Sequence, residues 1–374
     1  MIHQGAAPAA MATGTTATTA TSAPRSDRPA ALLHPRLDPW IAGWLATALW
    51  AAILLARHFD RLPAPTGWIL WTAACVSAAH FAMSYRLAYD TPRTAVRAHP
   101  IALVWAPLAL IVMLAVLLIA ASLGSTFGGV LIRSMMTVVF ALTMWHYIKQ
   151  AYGVTMIAAR HAGFELDRTE RNALRFGLYP LWTISTLGYL AGRRLVTIGE
   201  TEVRADLLNG PTGALRWVLV ASSVAVLGAT LIRATHRTGQ RPPSAMIAPL
   251  VAAVLWVGAM PSAALAVILL PALHALQYLA CAGRAQHRLL DREGRPPRET
   301  SWHVVQILLA AGCLGLLATS ALPGALERVA SPWDGLPLWP VTIFVALNLH
   351  HYLIDATVWR SDGRLVRAVI GPHR

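Results

Sequence analysis

The sequence predicts an all-α, polytopic transmembrane helix bundle of about ten spans with both termini in the cytoplasm. Hydrophobic residues make up 56% of the chain and charged residues 13%, and the mean hydropathy is +0.52. This balance lies far outside that of a soluble domain. Apolar runs of about 20 residues, the length that crosses a bilayer as a helix, recur along the chain. Arginines in the connections between these runs set the orientation.

Two regions follow from the composition. Residues 1–36 are rich in Ala, Thr, Ser and Pro and hold no apolar run long enough for a signal peptide, which predicts a disordered cytoplasmic tail. Residues 37–374 form the transmembrane domain. Its spans are predicted at 39–56, 67–85, 100–123, 130–158, 174–192, 215–233, 246–260, 263–283, 302–322 and 338–359. Only Met260-Pro261-Ser262 separates the seventh from the eighth, so these two could be one broken or re-entrant element.

The arginine distribution supports this topology. If the N-terminus is cytoplasmic, every inner segment is basic, and the segment 284–301 carries five arginines. Outer segments are poorer in arginine or balance it with acids, as in 193–214. This is the positive-inside pattern and predicts a multi-pass protein of the bacterial inner membrane. The formal net charge of +14 does not indicate nucleic-acid binding, because no basic stripe is interleaved with base-stacking aromatic residues.

Histidines recur inside four of the predicted spans. His80, His146, His274 and the His350-His351 pair lie on spans two, four, eight and ten, which all run from outside to inside. They precede the next cytoplasmic arginine by 6 to 14 residues, which is roughly 9 to 21 Å along a helix. The histidines therefore share one layer of the bilayer. Side chains on facing helices of a bundle can build a metal centre in such a layer.

Polar companions recur beside these histidines at the spacing of one helical turn. His351 is followed by Asp355, which can ligate a metal or orient the imidazole. The predicted metal ligands are His80, His146, His274, His350, His351 and Asp355. His350 and His351 point about 100° apart on a helix, so one small metal ion does not take both. The residues predicted to position substrate or move protons are Lys149, Gln150, Gln277 and Tyr278. Lys149 is the only lysine of the chain.

The residue types of the predicted ligands indicate which metals the site would bind. Imidazoles with one carboxylate and open coordination positions are characteristic of non-haem iron that activates oxygen, so the predicted cofactor is iron. Zinc, copper and haem are the alternatives. The chain has no GxSxG, HExxH, Walker or GxGxxG element in a working context. Its three cysteines lie singly in apolar spans and form no CxxC motif.

Histidines scattered over several spans resemble the membrane-embedded Brp/Blh-type β-carotene dioxygenases. That resemblance implies an iron held by histidines from separate helices. The HxxxH and HxxHH boxes of membrane desaturases are missing, and the segments 145–153 and 350–355 look like signatures of a separate family.

The predicted function is a metal-dependent oxidoreductase or oxygenase that acts on a lipophilic substrate entering from the bilayer. Two alternatives use the same layer. One is a haem-binding electron-transfer protein, and the other is a proton- or ion-coupled transporter, for which a broken element around Pro261 and Pro271 would provide the site.

Overall fold

A computed structural model describes most of the chain. The described residues are 34–59, 61, 67–90, 92–122, 126–191, 197–198, 201–202, 211–258, 264–291, 293–294, 296–330, 338–360 and 363–370. Most of the predicted N-terminal tail, residues 1–33, therefore lies outside the described residues. Regular structure in the described part is helical except for one short antiparallel hairpin. Its strands are β1 (Thr197–Ile198) and β2 (Thr201–Glu202), with Thr197 opposite Glu202.

Fourteen α-helices occur in the described residues. The first seven are α1 (Leu45–His58), α2 (Gly67–Tyr89), α3 (Pro92–Ala98), α4 (Ala106–Ser122), α5 (Thr126–His161), α6 (Arg168–Gly177) and α7 (Tyr179–Ala191). The others are α8 (Pro211–Thr238), α9 (Ser244–Ala253), α10 (Ala264–Asp291), α11 (Pro297–Leu316), α12 (Leu322–Ala330), α13 (Leu338–Val358) and α14 (Arg364–Ile370). Four π-helical turns extend or join them, at Trp40–Trp44, Ile101–Trp105, Val254–Gly258 and Leu317–Ala321.

Within the described residues, each of the ten predicted apolar segments is helical, and the fifth, 174–192, is divided between α6 and α7. Within the described residues, five helical stretches are long and apolar enough to cross a membrane. They are Ile101–Ala120, Val130–His161, Ala214–Thr238, Pro297–Val329 and Leu338–Val358. Two shorter apolar helices lie at Trp40–Ala56 and Ser244–Trp256. Large apolar side chains also face outward, such as Ile111, which is 62% exposed. These features indicate an all-α membrane protein.

Pro271 lies inside α10, which continues through it. Membrane helices tolerate proline where neighbouring groups compensate for the lost backbone hydrogen bond. The connection between the seventh and eighth apolar segments, residues 259–263, lies outside the described residues.

Four helices, α2, α5, α10 and α13, surround the centre of the bundle. Helix α2 packs against α10, α11 and α13, and α13 also packs against α5. Met83 of α2 is fully buried and contacts the cluster that includes Tyr278 and Cys281 of α10. Because lipid tails are as apolar as these side chains, close packing and polar contacts must hold the helices together.

Two glycines allow helices to approach closely. A Cβ atom at Gly315 of α11 would lie 2.0 Å from the carbonyl oxygen of Ala78 on α2, and one at Gly43 would lie 2.2 Å from that of Ala248 on α9. Small residues at such crossings let helix backbones pack in lipid. The close contact at Gly315 packs α11 against α2, the helix that carries His80.

Hydrogen bonds and an ion pair with Arg237 of α8 hold the loop before α6 in place. Asp167 accepts a hydrogen bond from the backbone N–H of Glu170 at 2.7 Å, and Glu170 accepts one from that of Asp167 at 2.8 Å. The Glu170 carboxylate is buried and also accepts from Arg237 at 2.7 Å. The Arg237 hydrogen bond lowers the pKa of Glu170 below its ordinary value. This contribution to stability is present above that ordinary pKa and is lost as the pH falls through the lowered pKa.

We expect Gly315→Ala to lower the free energy of unfolding by about 1–3 kcal/mol, the usual cost of overpacking, because the new methyl group meets backbone. Gly312→Ala is the matched control, since its nearest neighbour would be Ala79 Cβ at 3.9 Å. Thermal unfolding of both purified variants in the same detergent measures the difference. Equal stability of the two variants would contradict the close approach of α11 and α2.

Candidate metal centre

Four donor-bearing side chains from three helices meet at the centre of the bundle. They are His80 of α2, His146 of α5, and His351 and Asp355 of α13, and all four are buried. One ligand atom from each lies within 4.8 Å of all the others. This group could hold a metal ion.

The spacing of the donor atoms fits a single small metal ion. His351 Nε2 lies 2.9 Å from His80 Nε2 and 3.3 Å from His146 Nε2. Asp355 Oδ2 lies 3.6 Å from His146 Nε2 and 3.5 Å from His351 Nε2. Bonds of about 2.0–2.1 Å in a tetrahedral site set its donor atoms roughly 3.3 Å apart. The four groups are therefore already close to the separations that coordination requires.

The helix geometry explains why α13 supplies two of the donors. His351 and Asp355 are four residues apart and share a helix face. The hydroxyl-bearing side chains of Ser84 and Tyr278 lie next to the Asp355 carboxyl group. A carboxylate in this buried place needs a compensating positive charge, which a bound cation would provide.

His274 of α10 extends the cluster. Its ring centre lies 4.8 Å from that of His146 and 5.1 Å from that of His80. Both of its ring nitrogens are buried and have no hydrogen-bond partner in the described part of the chain. Buried polar groups are normally hydrogen-bonded, so these nitrogens are available to a ligand. His274 lies beside the four converging donors and is not one of them.

The structure does not bring His350 into this group. Its Nε2 donates to the carbonyl oxygen of Ala102 at 2.9 Å, and its Nδ1 lies 2.9 Å from the Tyr85 hydroxyl, from which it accepts. The turn of about 100° between adjacent helical residues directs His350 to α2 and the π-helical turn before α4. As expected, the two adjacent side chains point in different directions, and only His351 belongs to the group of converging donors.

Gln150 and Gln277, two of the residues predicted to be catalytic, hydrogen-bond to neighbouring helices. Gln150 Nε2 donates to the carbonyl oxygen of His274 at 2.8 Å and to Gln277 Oε1 at 3.2 Å. Gln277 Nε2 donates to the carbonyl oxygen of Ala42 at 2.6 Å. This chain of amides links α5, α10 and the π-helical turn before α1, and it fixes the backbone that carries His274.

The other two residues predicted to be catalytic, Tyr278 and Lys149, lie in different surroundings. Tyr278 contacts the cluster, since its ring lies edge-on to His80 with the ring centres 4.1 Å apart. Lys149 is exposed on α5. The structure therefore places only Tyr278 among these four residues directly against the converging donors.

A second group of polar residues holds His146 and was not predicted. The Tyr352 ring lies 4.8 Å from the His146 ring at an interplanar angle of 32°. The Tyr352 hydroxyl donates to Asn348 Oδ1 at 2.8 Å and hydrogen-bonds to Thr143 at 2.5 Å. Thr143 and Asn348 each precede a ligand histidine by three residues, so the helical spacing could have found them.

A cavity of about 270 Å³ adjoins the cluster. His80, His146, His274 and His351 line it, together with residues that precede these histidines on the same four helices. Most of that lining is apolar, such as Val139, Leu270 and Phe344. Phe344 is 48% exposed, so the cavity reaches the outer surface of the helix bundle. The histidines form one end of an apolar chamber.

Comparison of the chain with protein-family models, with curated proteins and with solved structures finds no match.

We expect His351→Gln to abolish stoichiometric metal binding and His350→Gln to retain it, because only His351 contributes a converging donor atom. Glutamine can still donate to Ala102 and accept from Tyr85, which makes position 350 a matched control. Metal content per chain after loading with Fe²⁺ or Zn²⁺ and desalting provides the measurement, with circular dichroism as the test of folding. Full metal content in folded His351→Gln protein would remove His351 from the ligand set.

Proposed function

We propose that the chain is an integral-membrane, metal-dependent oxidoreductase that acts on a lipophilic substrate with non-haem iron. The observation that carries this proposal is the convergence of three imidazoles and one carboxylate at the end of an apolar cavity. Mixed imidazole and carboxylate ligands with open positions suit iron that reacts with oxygen. An apolar chamber that reaches the surface of a membrane protein suits a substrate dissolved in lipid.

The protein ligands of the iron would be His80, His146, His351 and Asp355. Iron bound there would supply one-electron chemistry and the activation of oxygen. The apolar lining would exclude bulk water and hold the substrate against the histidines. His274 lines the cavity with unpaired nitrogens and would complete the ligand set or move a proton. Tyr278 would hold Asp355, and the Tyr352, Asn348 and Thr143 group would hold the ring of His146.

The geometry gives less support to haem. Two axial histidines must lie on opposite faces of a porphyrin, whose ring then separates them from other side chains. Here four donor atoms lie within 4.8 Å of one another, which leaves no slot for such a ring. The transporter alternative places a broken element around Pro261 and Pro271; α10 is continuous at Pro271, and Pro261 lies outside the described residues. Iron without porphyrin is therefore the cofactor we propose.

The proposed topology has ten spans, with both termini and the segment 284–301 on the cytoplasmic side of a bacterial inner membrane. Reversal would export the five arginines of that segment, which the positive-inside rule disfavours. We expect alkaline phosphatase fused after Arg374 to be inactive and green fluorescent protein fused there to be fluorescent. The opposite pattern would overturn the orientation.

The cavity provides a test of the function itself. We expect the iron-loaded protein in nanodiscs made of bacterial total lipid extract to consume oxygen and to form oxidised lipophilic products detectable by mass spectrometry. Val139→Trp should lower this activity about 10- to 100-fold, because small misplacements of a substrate have costs of that order, while iron content stays unchanged. Val139 lines the cavity and is 2% exposed, whereas its neighbour Val138 is 52% exposed.

Val138→Trp is the matched control and should keep full activity. Oxygen uptake by the iron-loaded protein no greater than that of His351→Gln, with no oxidised product, would contradict the proposed function. Equal activity of the two tryptophan variants would contradict the use of this cavity.

A further inference from the structure

Two exposed cations lie side by side on the outside of the bundle. Lys149 belongs to the apolar stretch Val130–His161 of α5, and Arg175 lies near the end of α6. Both side chains are exposed, and each lies within electrostatic range of the other. In the described part of the chain neither forms an ion pair, and the carboxylate that acts on Lys149 is the buried Asp355. Like charges beside the apolar surface of α5 are costly in a membrane, and an anion from outside the chain would offset that cost.

A row of aromatic rings connects the two cations. Trp145 lies one turn before Lys149 on the same face of α5. Its ring contacts that of Tyr179, with ring centres 4.8 Å apart, and Tyr179 contacts Phe176 at 5.2 Å. The Arg175 guanidinium lies 5.8 Å from the centre of the Phe176 ring, which is 54% exposed. Aromatic and cationic side chains so arranged are typical of the boundary between acyl chains and headgroups.

This surface lies outside the cavity. The residues of α5 that line the cavity, including Val139, Thr143 and Tyr147, recur at helical spacing on one face. Lys149 is exposed and does not line the cavity, although it lies about 60° around the helix from His146 and within electrostatic range of Asp355. A ligand at Lys149 therefore contacts the outer surface of α5.

The depth of Lys149 matches that of a lipid phosphate within reach of its side chain. Helix α2 ends at Tyr89 and α13 ends at Val358, about 14 Å and 10 Å along the helix beyond their ligand histidines. Lys149 lies three residues, about 5 Å, beyond His146. Its long stem can extend the ammonium group toward the end of the bundle. Glu170 and Arg237 hold α6, and with it Arg175, against α8.

We propose that Lys149 and Arg175 bind the phosphate of an anionic glycerophospholipid, with its glycerol and upper acyl chains against Phe176 and Tyr179. A guanidinium binds two phosphate oxygens in parallel, and an ammonium supplies a compact second charge. The cationic group of a zwitterionic headgroup would be repelled by this pair, so the site selects phosphatidylglycerol over phosphatidylethanolamine. This proposal is independent of the iron and of the reaction in the cavity.

The test compares two double variants of the full chain with equal loss of charge. Lys149→Met with Arg175→Met removes the site and keeps long side chains, whereas Arg168→Met with Arg241→Met removes two exposed arginines elsewhere. Native mass spectrometry of the detergent-solubilised protein, titrated with phosphatidylglycerol, measures the bound lipid. We expect the first variant to weaken phosphatidylglycerol binding about 10-fold or more, and the second to change it less than twofold. Phosphatidylethanolamine binding should be equal in all three proteins.

Two results would overturn the proposal. One is equal phosphatidylglycerol binding by both double variants with native circular dichroism, which would make Lys149 and Arg175 ordinary interfacial cations. The other is displacement of phosphatidylglycerol by millimolar inorganic phosphate, which would identify the ligand as free phosphate. Iron content measured in the same samples separates this outcome from any failure of the metal centre.

Discussion

The buried carboxylate of Asp355 is the constraint on which the centre of this bundle depends. A buried carboxylate is costly unless partners surround it. His146 and His351 lie within 3.6 Å of its Oδ2 atom, and they belong to different helices. Any shift of α5 relative to α13 separates these groups and exposes an unpaired polar atom to an apolar interior. The arrangement of the helices is therefore specified by a few polar contacts, because lipid supplies no hydrophobic force between helices.

The polar residues at this depth have two kinds of role. Some point at a common centre, and others attach helices to backbone carbonyl groups outside it. His350 and Tyr89 donate to the carbonyl oxygens of Ala102 and Leu103, both in the π-helical turn before α4. Gln277 similarly donates to Ala42 in the first π-helical turn. Wide helical turns leave backbone acceptors less well paired along the helix axis, and these side chains satisfy them while fixing the helices that carry the ligands.

The sequence was sufficient to predict which helices meet. Spacings of 6 to 14 residues from the next cytoplasmic arginine placed the histidines of α2, α5, α10 and α13 in one layer, and the four helices do share a core. The turn of about 100° between adjacent helical residues also predicted that His350 and His351 point in different directions. Rotation of each helix about its own axis was harder to predict, because the polar and apolar residues of α5 do not separate onto two faces. Lys149 and Gln150 therefore looked like companions of His146, although Gln150 pairs with α10 and Lys149 faces outward.

The volume of the cavity limits how a substrate can use the centre. The chamber, of about 270 Å³, is too small to enclose a long polyene of the kind cleaved by the Brp/Blh-type enzymes. Such a molecule would place one segment or one end against the histidines and leave the remainder beside Phe344 in the lipid. A compact lipophilic molecule would fit entirely. Lys149 is exposed on α5 and does not line this chamber, so the charge on α5 lies outside it.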